Sequence, residues 1–293
     1  MKIGMSWHYD ETTPDIWSTP LGFSKCLVKN GHEVFNFGYN PQNCDFTKLI
    51  DASKNFDLIL LFTAGPSDSL DKEIFRLKQN VKIPIFLEAG DDLPNSPYHH
   101  NRIKNVDAIF TPDLRCHINY LKNKLNSHWM PSWCDTEIFY DNLKPRENKC
   151  ITTCGERQHA KILQDIFGNK FINKRVWNYE NTNFFNSGTI VYQYARYDEI
   201  TRRIFEAGGC RCAIITNRIS ASTGIYNLFV EDQDICYFSN EQELLIKMQK
   251  LFNDEEYRIK LSNNIYNKIQ KYHLIDHRVE KILKVYKELK CLV

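Results

Sequence analysis

The residues with the most chemical potential in this chain lie where apolar runs give way to polar turns. Gly155-Glu156-Arg157, with Lys161 one turn further on, follows a short run of strand-forming residues. A glycine between a strand and a helix lets the backbone approach a phosphate. The helix N-terminus then turns amide hydrogens and a positive dipole toward it. Arg157 and Lys161 would add the charge that neutralises a diphosphate. The same residues also read as a plain strand-to-helix turn with solvated basic side chains. A second group is Asp198 and Glu206, with Arg202 and Arg203 between them and Gly208-Gly209 after. Positions eight apart on a helix share one side, so this spacing would put two carboxylates on one face. Glu206 could accept both hydroxyls of a ribose, and Asp198, at the helix start, could hold a sugar or the loop around its diphosphate. The competing reading pairs these carboxylates with the nearby arginines.

Such groups need elements to hold them. Residues 2–7 read as a buried first strand and residues 17–30 as a helix stopped by Gly31. Strands are expected at 33–37, 57–62, 83–87 and 108–110, with helices over 70–79 and 114–124. The run from Leu58 to Phe62 is continuously apolar, as in a parallel sheet covered on both faces. Strand alternating with helix predicts a parallel α/β sheet. Residues 133–149 break the rhythm with a polar, hinge-like stretch, and the pattern then restarts. The second half predicts strands at 150–154, 189–194 and 212–216. It predicts helices from 155 to 167, 199 to 207 and 241 to 252, and a helical tail over 254–290 interrupted near 273–276. The expected division is residues 1–140, 141–272 and a final helix over 273–293. Two open sheets joined by a hinge create a cleft, and ligands bind beyond the carboxyl ends of their strands.

Composition sets limits on function. The chain has 293 residues, 42% of them hydrophobic and 13% aromatic, enough for two ordinary cores. Its formal net charge of +2 demands no nucleic-acid partner. The ten cysteines lack zinc or redox spacing and read as small buried hydrophobes in a reducing compartment. No signal-peptide pattern opens the chain, and no apolar run is long enough to span a membrane, so a cytoplasmic location is expected. No G-x-G-x-x-G follows the first strand, which excludes a Rossmann-type dehydrogenase or epimerase.

Several segments resemble the GT-B glycosyltransferases. Residues 203–210, Ala213-Ile214-Ile215-Thr216 and Asn227-Leu228-Phe229 are similar to the donor-binding half of these enzymes. The likeness is strongest to the family-1-like domain of spore-maturation-type proteins. It continues through Ile235-Cys236-Tyr237-Phe238, Glu243-Leu244 and His273 to Arg278. In the first half, Gly31-His32-Glu33-Val34, residues 106–111 and residues 130–135 fit as well. The resemblance implies two Rossmann-like domains facing a cleft, with the C-terminal helix crossing back to the N-terminal domain. It implies a nucleotide-diphosphate sugar as donor and co-substrate, with no cofactor and no metal. Glu206 would bind the ribose, Arg157 and Lys161 the diphosphate, and Asp198, Arg202 and Gly155 would complete the donor site. Ser222-Thr223-Gly224 sits where a loop could cover the phosphates, though it reads equally as a polar surface loop. Asp198 stands where relatives often carry a glutamate.

The acceptor side carries fewer signals. Relatives often place a histidine after the fourth strand, where this chain has Gly90-Asp91-Asp92. Asp91 or Asp92 could orient the sugar or act as base toward an acceptor hydroxyl. An equal reading is a pair of turn aspartates. His8, after the first strand, is the other candidate base. His99 and His100 are expected at the surface. A glycan or small molecule is the default acceptor for the family. Gly31-His32-Glu33-Val34 and Gly208-Gly209 also resemble phage DNA glucosyltransferases, which keeps a hydroxymethylated pyrimidine in DNA as an alternative acceptor. Near-neutral charge weighs against it. The departures at Asp198 and Asp91 keep open a nucleotide-sugar-binding protein without catalysis.

Overall fold

The computed structural model describes residues 1–8, 19–94, 99–153, 159–176 and 179–291. The chain divides into two units, Met1–Pro131 with Ile275–Val293, and Ser132–Leu274.

The first unit is built on six parallel strands, β1 (Lys2–His8), β2 (Glu33–Tyr39), β3 (Leu58–Thr63), β4 (Ile85–Ala89), β5 (Ala108–Thr111) and β6 (Ser127–Trp129). Their order is β2-β1-β3-β4-β5-β6. Every residue of β3 and β4 is buried, as expected of central strands covered on both faces. The connecting helices are α1 (Thr19–Lys29), α2 (Thr47–Ala52), α3 (Asp68–Asn80) and α4 (Leu114–Lys122). α3 shows why such a segment is helical. The Ser67 hydroxyl caps it by accepting the Leu70 N–H, and Leu70, Ile74 and Leu77, at steps of four and three, form its buried stripe. Asp113 caps α4 in the same way.

The second unit carries five parallel strands, β7 (Glu147–Thr152), β8 (Phe171–Asn173), β9 (Gly188–Gln193), β10 (Ala213–Asn217) and β11 (Cys236–Phe238). They are ordered β11-β10-β9-β7-β8. The helices are α5 (Ala160–Phe167), α6 (Tyr179–Phe185), α7 (Arg202–Gly209), α8 (Ile225–Leu228), α9 (Glu241–Asn253) and α10 (Glu255–Tyr272). Leu163, Ile190, Tyr192, Ile215, Phe238, Leu244 and Met248 share one core on a face of this sheet. The polar stretch after residue 132 belongs to this unit because its apolar members bury there. Trp133, Cys134, Ile138 and Phe139 are all buried, and the Thr182 hydroxyl donates to the Ile138 carbonyl at 2.7 Å. The last helix, α11 (Ile275–Lys290), belongs to the first unit, where it packs on α1. Arg278 donates to the Pro131 carbonyl at 2.8 Å and Lys281 to the Trp129 carbonyl at 2.5 Å.

Of the nine described cysteines, all free, eight are buried. No helix among the described residues is long and apolar enough to cross a membrane.

Candidate functional site

Each sheet reverses its strand order once, the first between β1 and β3, the second between β7 and β9. In an open parallel sheet a ligand lodges beyond the carboxyl ends of the strands at such a point. His8 ends β1, and Lys161, Asp198, Arg202 and Glu206 follow β7 and β9, strands that flank these two places.

In the second unit, β7 ends at Thr152, and the buried Thr153 hydroxyl beyond it has no hydrogen-bond partner among the described residues. Gly155 and Arg157 lie outside the described residues. Lys161 is exposed in the first turn of α5. His159 precedes that helix in a left-handed conformation, with Nδ1 3.5 Å from Glu241. The loop after β9 is tied to the end of β10 by Asn217. Its amide accepts from the Ala195 N–H at 2.7 Å and donates to the Ala195 carbonyl at 3.1 Å, copying a backbone pair. Sequence reading missed Asn217, because a strand-ending asparagine has no distinctive spacing.

The expectation that Asp198 and Glu206 share a helical face is corrected. Asp198 is left-handed at φ 52°, and α7 starts only at Arg202, after an extended Thr201. Asp198 is therefore a loop residue, and its carboxylate accepts the Ser220 N–H at 2.6 Å. Asn217 and Asp198 together fasten the loops that follow β9 and β10. Glu206 is on α7 with a side chain 17% exposed, 3.4 Å from the Arg202 guanidinium. That guanidinium also stacks over Trp133 at 5.3 Å. Ser222 is exposed, and its hydroxyl lies 2.6 Å from that of Ser220. Thr223 turns inward and donates to the Ser220 carbonyl at 2.7 Å. Gly224, at φ 89°, leads into α8.

In the first unit, His8 is the exposed last residue of β1, its ring 6.3 Å from that of Tyr39. Asp91 and Asp92 follow β4 but face different surroundings. Asp91 is exposed and left-handed at φ 54°. Asp92 is 1% exposed and accepts the Tyr120 hydroxyl on both oxygens at 2.9 Å. Burial pushes its carboxyl up to about 6, against the hydrogen bonds from Thr111, Tyr120 and Cys116.

His99 is not a surface residue. It is 1% exposed, with Nε2 3.0 Å from the Gly90 carbonyl oxygen and Nδ1 3.5 Å from the Thr63 hydroxyl. Burial, with the charge of Arg102, pushes its imidazole down to about 4, so it is neutral. His100 is exposed. Among the described residues no group of three or more His, Cys, Asp or Glu is arranged to hold a metal.

Residues 143–284 match a family of proteins described as glycosyl transferase-like. No curated protein matches the chain. Solved structures do. Sucrose-phosphate synthase from Thermosynechococcus elongatus aligns with a TM-score of 0.70 at 10% identity, over 100% of both chains. An alpha-glucosyltransferase in complex with UDP and a 13-mer DNA containing a HMU base gives 0.68 at 14% identity, over 98% of this chain and 99% of that one. Anabaena HepE in complex with UDP-glucose gives 0.66 at 12% identity, over 97% of this chain and 100% of that one. At such identities these structures carry the fold alone. The second part of the chain, residues 143–284, thus carries a glycosyl transferase-like domain, and the chain's two parallel α/β units have the fold of the GT-B glycosyltransferases.

Proposed function

We propose that the chain transfers a glycosyl group from a uridine diphosphate sugar to an acceptor hydroxyl without help from a metal. The observation that carries this reading is the pair of loops after β9 and β10, joined through Asn217 and Asp198 beside the Glu206 helix. These loops lie within the family-matched segment, next to the strand reversal where a nucleotide would lodge. Glu206 accepts the ribose hydroxyls, with Arg202 holding its carboxylate in place. Arg157 and Lys161, with the amides around Gly155, meet the diphosphate charge in place of a cation. Asp198 braces the loop carrying Ser222, Thr223 and Gly224, which closes over the phosphates.

In the reaction the acceptor oxygen bonds to the anomeric carbon as the bond to the diphosphate breaks. UDP leaves, and the acceptor proton passes to a base. Asp91 is the first choice for that base, being an exposed carboxylate at the end of a central strand, and His8 is the second. Asp92 is engaged with Tyr120 and supports the turn instead. The acceptor is a glycan or small molecule. A hydroxymethylated pyrimidine in DNA is a second reading, favoured by the fold shared with DNA-bound alpha-glucosyltransferases. Release of UDP is the test, with a panel of UDP-sugars run against free sugars, glycans and a duplex carrying that base. Transfer to the sugars supports the first acceptor class and transfer to the duplex the second. Release from no donor under any condition refutes the reading.

A further inference from the structure

We infer that His99 is a positioning residue that fastens the carboxyl ends of β3 and β4 together and so fixes the turn presenting Asp91. The functional half of this inference rests on the reading of Asp91 as the acceptor-side base.

The bonding defines one state of the ring. A carbonyl oxygen only accepts, so Nε2, 3.0 Å from the Gly90 oxygen, must carry the proton. Nδ1 is then the acceptor, and the Thr63 hydroxyl, at 3.5 Å, is placed to donate to it. Thr63 is the last residue of β3 and is in register with Ala89, the last of β4. The imidazole therefore spans two neighbouring strand ends.

The bond to Gly90 acts directly on the next residue. The Gly90 carbonyl and the Asp91 N–H belong to one planar peptide group, so orienting the first orients the second. Asp91 is held at φ 54°, in the left-handed region that a residue with a Cβ enters only at a cost. Gly90 lies close against the end of β3, where a Cβ would come within 3.2 Å of the Thr63 carbonyl oxygen. Asp92, next along, is turned inward to Tyr120. The result is one carboxylate turned out and one turned in at the end of a central strand.

His99 is itself anchored. Arg102, three residues on, is 0% exposed and pairs with Asp71 in the first turn of α3. Its charge also opposes protonation of the ring, which preserves the tautomer that the Gly90 bond requires. With 1% exposure His99 offers no surface to a substrate, so its effect must pass through the turn.

The test uses the full chain and four variants: His99→Ala, His99→Gln, Asp91→Asn and the double His99→Ala/Asp91→Asn. His99→Ala should lower kcat for transfer by about tenfold or more while donor affinity stays within about twofold. His99→Gln, whose amide N–H can reach the Gly90 carbonyl, should restore most of that loss. In the Asp91→Asn background His99→Ala should cost nothing further. An equal cost in both backgrounds overturns the inference, as does normal turnover per folded molecule in His99→Ala. Proton–nitrogen correlation spectra without substrate keep the two claims separable. They should show the neutral Nε2–H tautomer and an Asp91 amide signal that moves in His99→Ala and returns in His99→Gln. If Asp91→Asn leaves transfer intact, the base assignment falls alone. If the Asp91 signal does not move, the positioning claim falls.

Discussion

Glu206 is the side chain on which the donor assignment turns. Its carboxylate is largely covered, lies 3.4 Å from Arg202 and sits on the helix beside the strand reversal of the second sheet. Glu206→Ala should weaken binding of a UDP-sugar at least about tenfold, the loss of one charge-assisted hydrogen bond of about 1.5–3 kcal/mol. Calorimetry reads this directly, and unchanged affinity would remove Glu206 from the site. A second prediction concerns the two buried groups after β4. The His99 imidazole is depressed to about 4, so the folded chain binds fewer protons there than the unfolded chain. Its contribution is complete above about 6.5 and is lost as pH falls toward 4. The Asp92 carboxyl is raised to about 6, so its contribution is complete below about 3.8 and is lost as pH rises through 6. Each is worth about 3 kcal/mol, and between pH 4 and 6 they oppose. Asp92→Asn should therefore lose stability, relative to wild type, as pH is lowered across that window. His99→Gln should gain over the same window. Denaturant midpoints measured every half unit would show it, and parallel curves for all three proteins would contradict it.

At the scale of elements, α7 shows how a helix is held to its surroundings by what it lacks. A Cβ at Gly209 would fall 2.2 Å from the Cys134 sulfur. Gly209→Ala should cost about 1–3 kcal/mol through overpacking, and most of that cost should vanish in a Cys134→Ala background, where the Cβ at 3.4 Å and the Phe139 carbonyl oxygen at 3.5 Å remain at ordinary contact. Equal costs in both backgrounds, by urea unfolding, would show that the close approach relaxes without strain. The same helix marks a limit of legibility. Its apolar positions and Gly208-Gly209 are visible in the sequence, but its start was expected at residue 199 and lies at 202. Asp198 adopts a left-handed conformation that no local pattern announces. The run Leu58 to Phe62 was readable because a doubly covered strand is apolar throughout. β6 and β8 were not, since a three-residue edge strand carries no period. His99 was misread for a related reason. Its burial depends on Thr63 and Gly90, which local sequence does not bring beside it.

For the whole molecule, the parallel class of both sheets and the GT-B assignment were legible from the alternation of strand and helix and from the order of loose motifs. The chain's last helix contributes Val279, Ile282 and Val285 to the interior, along with the Arg278 and Lys281 bonds to the Pro131 and Trp129 carbonyls. Deleting residues from 277 onward should cost the first unit about 5 kcal/mol or more, with burial alone worth about 1.5–3 kcal/mol per side chain. A two-transition denaturant curve in which the first unit melts early would show this, and an unchanged curve would contradict it. The central claim is glycosyl transfer from a UDP-sugar in which basic side chains and helix amides replace a cation. The measurement that tests it most directly is UDP release by the purified chain in excess chelator, across a panel of UDP-sugars, with Glu206→Ala alongside. The account predicts release from at least one donor, undiminished by chelator and reduced about tenfold or more in the variant at limiting donor. Turnover abolished by chelator and restored by magnesium or manganese would contradict it.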